Sequence, residues 1–128
     1  MKRVIVSGGG TGGHIYPAVA VAEALRRRFG EEVEILFVGA EGKMEMEKVP
    51  ALGYRIVGLP VAGLQRRFDL KNLAVPFKVL KSIRKARRTI RDFGADAVVG
   101  FGGYASAPVL WAAQRMGVPT VIQEQNSY

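Results

Sequence analysis

The chain has 128 residues, 48% hydrophobic and 23% charged, the balance of one ordinary globular domain with its own core. It has no cysteine, which excludes disulfides and thiolate metal sites and favours a cytosolic setting. No apolar run approaches the roughly 20 residues of a membrane span, and no signal-peptide layout opens the sequence. Net charge is +8, and residues 65–91 alone carry +9, with ten Lys/Arg against Asp69. That lopsidedness points to a local anionic partner rather than to a generally basic protein.

The chain opens on a buried-strand pattern over 2–6, and nothing is expected before it. Ser7-Gly8-Gly9-Gly10-Thr11-Gly12-Gly13-His14 follows, with five glycines in eight residues. A strand that turns through glycines into a helix N-terminus brings backbone N–H groups and a helix dipole to one point, which is an anion site. A tight βα turn alone needs only one or two glycines. A helix is expected over 18–29, with Val19, Ala22, Leu25 and Phe29 on one face, Arg26, Arg27 and Arg28 near its end, and Gly30 as its stop. A second strand is expected over 33–38, then the loop Gly39-Ala40-Glu41-Gly42. A short helix over 43–52 carries Pro50 in its last turn and ends at Gly53.

A third strand is expected over 54–59 and a loop over 60–70. Strong helical character runs over 71–93, where Pro76 marks either a break or the true start. On this helix the stripe Val79, Ile83, Ala86 and Ile90 is expected to pack on the sheet. Leu73, Phe77 and Leu80 lie off that stripe among Lys71, Lys78, Lys81 and Arg84. A fourth strand is expected over 95–99, a second glycine-rich loop over 100–108, a helix over 109–116 stopped by Gly117, and a fifth strand over 118–123. Residues 124–128 trail from its end.

Short β-branched strands alternating with helices predict a parallel sheet covered on both faces. Ligands of such sheets bind outside the carboxyl ends of the strands. The loops at 8–14, 39–42, 100–108 and 124–128 all belong to that edge, so topology alone predicts one site.

Gly8, Gly10 and Gly13 satisfy the dinucleotide pattern G-x-G-x-x-G. That pattern wants an acid at the end of the second strand. The nearest, Glu41, lies 28 residues after Gly13 and beyond Gly39. His14 is the sole histidine, and it sits where the glycine loop meets the helix. Imidazole accepts a proton near neutral pH, so His14 is a candidate general base, or a donor to phosphate or sugar. One histidine with scattered carboxylates does not make a metal site. In Gly100-Phe101-Gly102-Gly103-Tyr104-Ala105-Ser106-Ala107-Pro108, paired glycines free the backbone, Ser106 is placed to cap the next helix, and Pro108 suits its first turn. Glu124, Gln125 and Asn126 offer donors and acceptors suited to sugar hydroxyls.

Three of these stretches together resemble the amino-terminal half of the MurG glycosyltransferases: Gly9-Gly10-Thr11-Gly12-Gly13-His14, Gly102-Gly103-Tyr104-Ala105-Ser106-Ala107-Pro108, and Glu124-Gln125-Asn126. The likeness covers essentially the whole chain. It implies a Rossmann-like α/β domain over 1–128, with a parallel sheet and helices on both faces, as one half of a two-domain GT-B fold. It also implies an inverting transfer of N-acetylglucosamine from UDP to lipid I, giving lipid II, with no metal or other cofactor required. By the same resemblance, Thr11, Gly12, Gly13 and Asn126 would face the UDP-sugar donor. Gly10, Gly102, Gly103, Tyr104, Ser106, Glu124 and Gln125 would face the acceptor and its pyrophosphate. His14 would be the catalytic base or a phosphate contact. The family often has histidine where this chain has Gln123, which cannot titrate. A carboxyl-terminal donor domain would be the missing partner, so the chain alone is expected to be inactive.

Leu73, Phe77 and Leu80, off that stripe and ringed by Lys78, Lys81 and Arg84, suit an anionic membrane surface, hence a peripheral place on the cytoplasmic face of the bacterial inner membrane. A merely solvated helix face is the alternative. A nucleic-acid surface lacks both a motif and a stacking platform. Two other readings of the whole chain stay open at this point: a dinucleotide-binding module, and a basic adaptor for membrane or nucleic acid.

Overall fold

The computed structural model describes residues 2–8, 15–60, 74–102 and 106–122. Five strands form one parallel sheet in the order β3-β2-β1-β4-β5. They are β1 (Lys2–Ser7), β2 (Val33–Ala40), β3 (Arg55–Leu59), β4 (Ala97–Gly100) and β5 (Thr120–Ile122). Helices α1 (Ile15–Phe29), α2 (Glu45–Ala51), α3 (Ala74–Phe93) and α4 (Ser106–Arg115) fill the crossovers. The expected doubly covered parallel sheet is therefore present.

Alternation along the strands sorts the core into two layers, because successive side chains leave a strand on opposite faces. Val4, Val6, Ile35 and Phe37 face α1 and α2, meeting Ala18, Ala22 and Val49. Ile5, Leu36, Val38 and Val98 face α3 and α4, meeting Ala86, Ile90, Val109 and Ala112. Tyr54, just ahead of β3, packs its ring on Phe37 with centroids 5.1 Å apart. Burial, reinforced by the Glu23 carboxylate beside its hydroxyl, pushes the Tyr54 phenol above its ordinary value.

Element ends depart from the sequence-based expectation for local reasons. α1 begins at Ile15, three residues early, with Pro17 inside its first turn, where a missing N–H costs no helical bond. β2 runs on through Gly39 and Ala40, since β3 pairs with it there as Gly39↔Gly58 and Ala40↔Leu59. α2 is shorter than expected, and it closes on tight bonds from Leu52 N–H to Val49 O and from Gly53 N–H to Pro50 O. β4 is shifted to Ala97–Gly100 because Asp96 turns back on β1: its N–H donates to Arg3 O at 2.7 Å, and its carboxylate accepts from Arg3 N–H at 2.9 Å. β5 starts two residues late, at Thr120, because Val118 N–H still serves the end of α4 by donating to Ala113 O.

The largest correction concerns α3. Val79 does not pack on the sheet: it is 37% exposed, and the buried stripe is Ser82, Ala86, Ile90 and Phe93. A 20-residue helix is about 30 Å long, whereas strands of four to eight residues span roughly 13–26 Å. The helix outruns the sheet. A crossover helix runs antiparallel to its strands, so the overhang is its first two turns, at the carboxyl edge of the sheet. Pro76 falls within the first turn of this helix, so it marks a start rather than a break.

Candidate functional site

The strand order contains one reversal. From β1 the chain steps outward to β2 and β3, then crosses back to place β4 on the other side of β1. The crossovers that follow β1 and β4 therefore leave on opposite faces, and a crevice opens between the two strand ends. α1 starts on one side of it and α4 on the other.

The two exits are held side by side by backbone bonds. Ser7 is in register with Gly100, and Phe101 N–H donates to Ser7 O at 2.8 Å. The buried Ser7 hydroxyl donates to Val38 O at 3.2 Å, and Gly8 N–H reaches the same carbonyl at 3.4 Å. These bonds tie β1, β2 and β4 together at the point where both glycine-rich loops begin. Glycine is required at two places. A Cβ on Gly100 would lie 2.6 Å from Leu110 Cδ1, so α4 sits close to β4 only because position 100 is bare. Gly102 has φ +91°, a left-handed backbone that residues with a Cβ resist. Ser106 is buried as the first residue of α4, inside the helix rather than ahead of it as a cap.

One further buried group shapes this edge, and sequence reasoning did not find it. The Glu45 carboxylate, 1% exposed, accepts the Ala40 N–H at 2.9 Å where β2 ends. It fits because Gly39 has no side chain: a Cβ there would stand 2.6 Å from Glu45 Cγ. The available signal is Gly39 followed six residues later by an acid on the apolar face of α2. Glu45→Ala leaves the Ala40 amide buried without this acceptor and should cost about 2 kcal/mol or more, whereas Glu45→Gln, which keeps an acceptor, should cost less than half as much. Chemical denaturation of the two variants checks this.

Residues 4–128 match the glycosyltransferase family 28 N-terminal domain. The chain belongs to that family. It is 61% identical over 126 residues to the UDP-N-acetylglucosamine–N-acetylmuramyl-(pentapeptide) pyrophosphoryl-undecaprenol N-acetylglucosamine transferase of Porphyromonas gingivalis, covering 98% of this chain and 33% of the relative. The crystal structure of Acinetobacter baumannii MurG superposes with a TM-score of 0.85 at 34% identity, over 99% of this chain and 36% of that one. A calicheamicin glycosyltransferase, at 18% identity and a TM-score of 0.67 over 100% of this chain and 33% of its own, shares the fold alone. The resemblance to MurG and the half-GT-B architecture thus stand. The chain spans about a third of the length of the relatives it matches.

Within this family 28 domain, Gly102 of the expected acceptor set follows β4 and Ser106 opens α4, both at the carboxyl edge of the sheet. Gly10, Thr11, Gly12, Gly13, His14, Gly103, Tyr104, Glu124, Gln125 and Asn126 lie outside the described residues, as does Leu73. Glu41, the candidate ribose acid of the dinucleotide reading, follows β2 directly. Its carboxylate is paired with Lys85 of α3 at 3.3 Å. On the overhang of α3, Phe77 is 71% and Leu80 48% exposed, and Lys81 and Arg84 are exposed beside them. The side chain of Lys78 is not described. Trp111 on neighbouring α4 was missed: it is 46% exposed, with Arg115 stacked on it at 4.8 Å. The pattern of Val109, Ala112 and Ala113 as the buried face of α4 leaves Trp111 outside it, which was the available signal. Among the described residues no helix is long and apolar enough to cross a membrane.

Proposed function

We propose that this chain is the acceptor-binding part of an inverting transferase that moves N-acetylglucosamine from UDP to lipid I. The observation that carries the reading is the crevice at the reversal of strand order, where two glycine exits are locked together beside the starts of two helices. Backbone N–H groups at such a place meet phosphate charge directly. The Porphyromonas gingivalis relative, whose named activity has a pyrophosphoryl-undecaprenol acceptor, supplies the substrate class.

In this reading the acceptor pyrophosphate rests against Gly10, Gly102, Gly103, Tyr104 and Ser106, and Glu124 and Gln125 face the acceptor. Thr11, Gly12, Gly13 and Asn126 face the donor, whose uridine is gripped by a further, carboxyl-terminal domain. An acceptor hydroxyl attacks the anomeric carbon, the bond from that carbon to the UDP oxygen breaks on the opposite face, and configuration inverts. The hydroxyl proton passes to a base, the role we assign to His14. No step is routed through a metal or another cofactor. Phe77, Leu80 and Leu73, with Lys78, Lys81 and Arg84, then form the face that meets anionic lipid on the cytoplasmic side of the membrane. No nucleic acid enters this reading.

Three measurements test it together. The purified chain should bind a soluble lipid I analogue saturably and sediment with phosphatidylglycerol vesicles but not with phosphatidylcholine vesicles. It should transfer no detectable sugar by itself, because catalysis needs both substrates fixed in attack geometry. Saturable binding of NAD without binding of the acceptor analogue would sink the proposal.

A further inference from the structure

The cations of α3 do not all face outward onto one flat surface. Lys81, Arg84, Lys85 and Arg88 line a cleft of about 470 Å³ whose other wall is Glu41 and Pro60, at the ends of β2 and β3. Asp92 closes one end. The cleft lies two strands away from the crevice between β1 and β4.

Among the described residues its charge is not neutralised from within. Glu41 is taken by Lys85 at 3.3 Å, and Asp92 by Arg91 at 3.6 Å. Lys81, Arg84 and Arg88 make no ion pair among the described residues. Lys81 and Lys85 stand one helical turn apart, as do Arg84 and Arg88, a spacing at which like charges repel. Thr89, also on the wall, spends its hydroxyl proton on Lys85 O at 2.8 Å. Concave walls concentrate the field of such a cluster. Arg guanidinium groups offer forked donors that match phosphate oxygens, and lysines add point charge.

We propose that this cleft binds a phosphate-bearing anion, either free or as the headgroup of a lipid. The inference goes beyond the acceptor reading and does not depend on it. Lys85 and Arg88 belong neither to the acceptor crevice nor to the apolar membrane face, so both can be varied separately.

The test is a backbone-amide NMR titration of the chain with inorganic pyrophosphate, against sodium chloride matched in ionic strength. It is paired with sedimentation on phosphatidylglycerol vesicles. Saturable shifts along α3 between Lys81 and Asp92 and at Glu41 are expected. Arg88→Gln should weaken them roughly tenfold or more, the loss of one charge-assisted bond, while Lys48→Gln on α2 leaves them unchanged. If Arg88→Gln also weakens vesicle binding, the anion is a lipid headgroup. If vesicle binding is unchanged, it is a free phosphate-bearing anion. Shifts reproduced by sodium chloride, an absence of saturation, or equal effects of the two variants would overturn the proposal. Pyrophosphate shifts confined to Gly8, Phe101 and Gly102 would also overturn it, while leaving the acceptor reading intact.

Discussion

Phe37→Ala should lower the stability of the domain by about 3–5 kcal/mol, well beyond the loss expected from truncating any of the half-exposed apolar residues. Phe37 lies in β2 with 1% of its surface exposed, among the largest fully buried side chains. Its ring fills the layer between the sheet and α1, and it tilts 55° against Tyr54. Truncation removes the transfer energy of the ring, opens a cavity, and strips Tyr54 of its aromatic neighbour. Tyr54 is further held by the Arg26 guanidinium over its face at 4.8 Å, so the layer does not collapse freely into the void. A denaturant titration should show a lower midpoint at unchanged slope. A loss below about 1 kcal/mol would mean that this layer is loosely packed.

Gly100→Val should lower both stability and binding. The added Cβ meets three atoms of Leu110, at 2.6, 3.0 and 3.1 Å, so either β4 or α4 must move. Overpacking of this kind costs about 1–3 kcal/mol. The movement falls on the first turns of α4, beside the crevice, so affinity for the acceptor analogue should fall about tenfold or more if α4 is the phosphate-facing helix. Leu110→Ala removes the atoms that clash. The double variant should therefore recover part of the lost stability, and a thermodynamic cycle should show favourable coupling. Additive losses would place the strain elsewhere.

The fold was legible in the sequence where period and punctuation agreed. Consecutive apolar β-branched residues at Val4-Ile5-Val6, and glycine stops at Gly30, Gly53 and Gly117, located strands and helix ends without tertiary knowledge. Gly39 and Ala40 have the local character of a loop, yet strand pairing with Gly58 and Leu59, not local propensity, keeps them extended. Val79 has the spacing of a core residue, but helical periodicity gives a face and not where the sheet beneath it ends. Part of the site was legible too. Alternation of strands and helices located the edge, and glycine density located the two exits. The sequence did not reveal that Ser7 and Phe101 lock those exits together, because the two are far apart in the chain and their pairing depends on strand order. Glu45 was hidden because the bond it accepts at the end of β2 comes from a backbone amide.

Whether the crevice between β1 and β4 is an acceptor site can be decided by mapping amide shifts of this chain with a soluble lipid I analogue, UDP-N-acetylglucosamine and NAD in turn. Saturable shifts at Gly8, Phe101, Gly102 and Ser106 are expected with the lipid I analogue, with weak responses to the other two ligands. Shifts with NAD alone, centred on Gly8 and extending toward Glu41, would contradict the acceptor assignment and restore the dinucleotide reading.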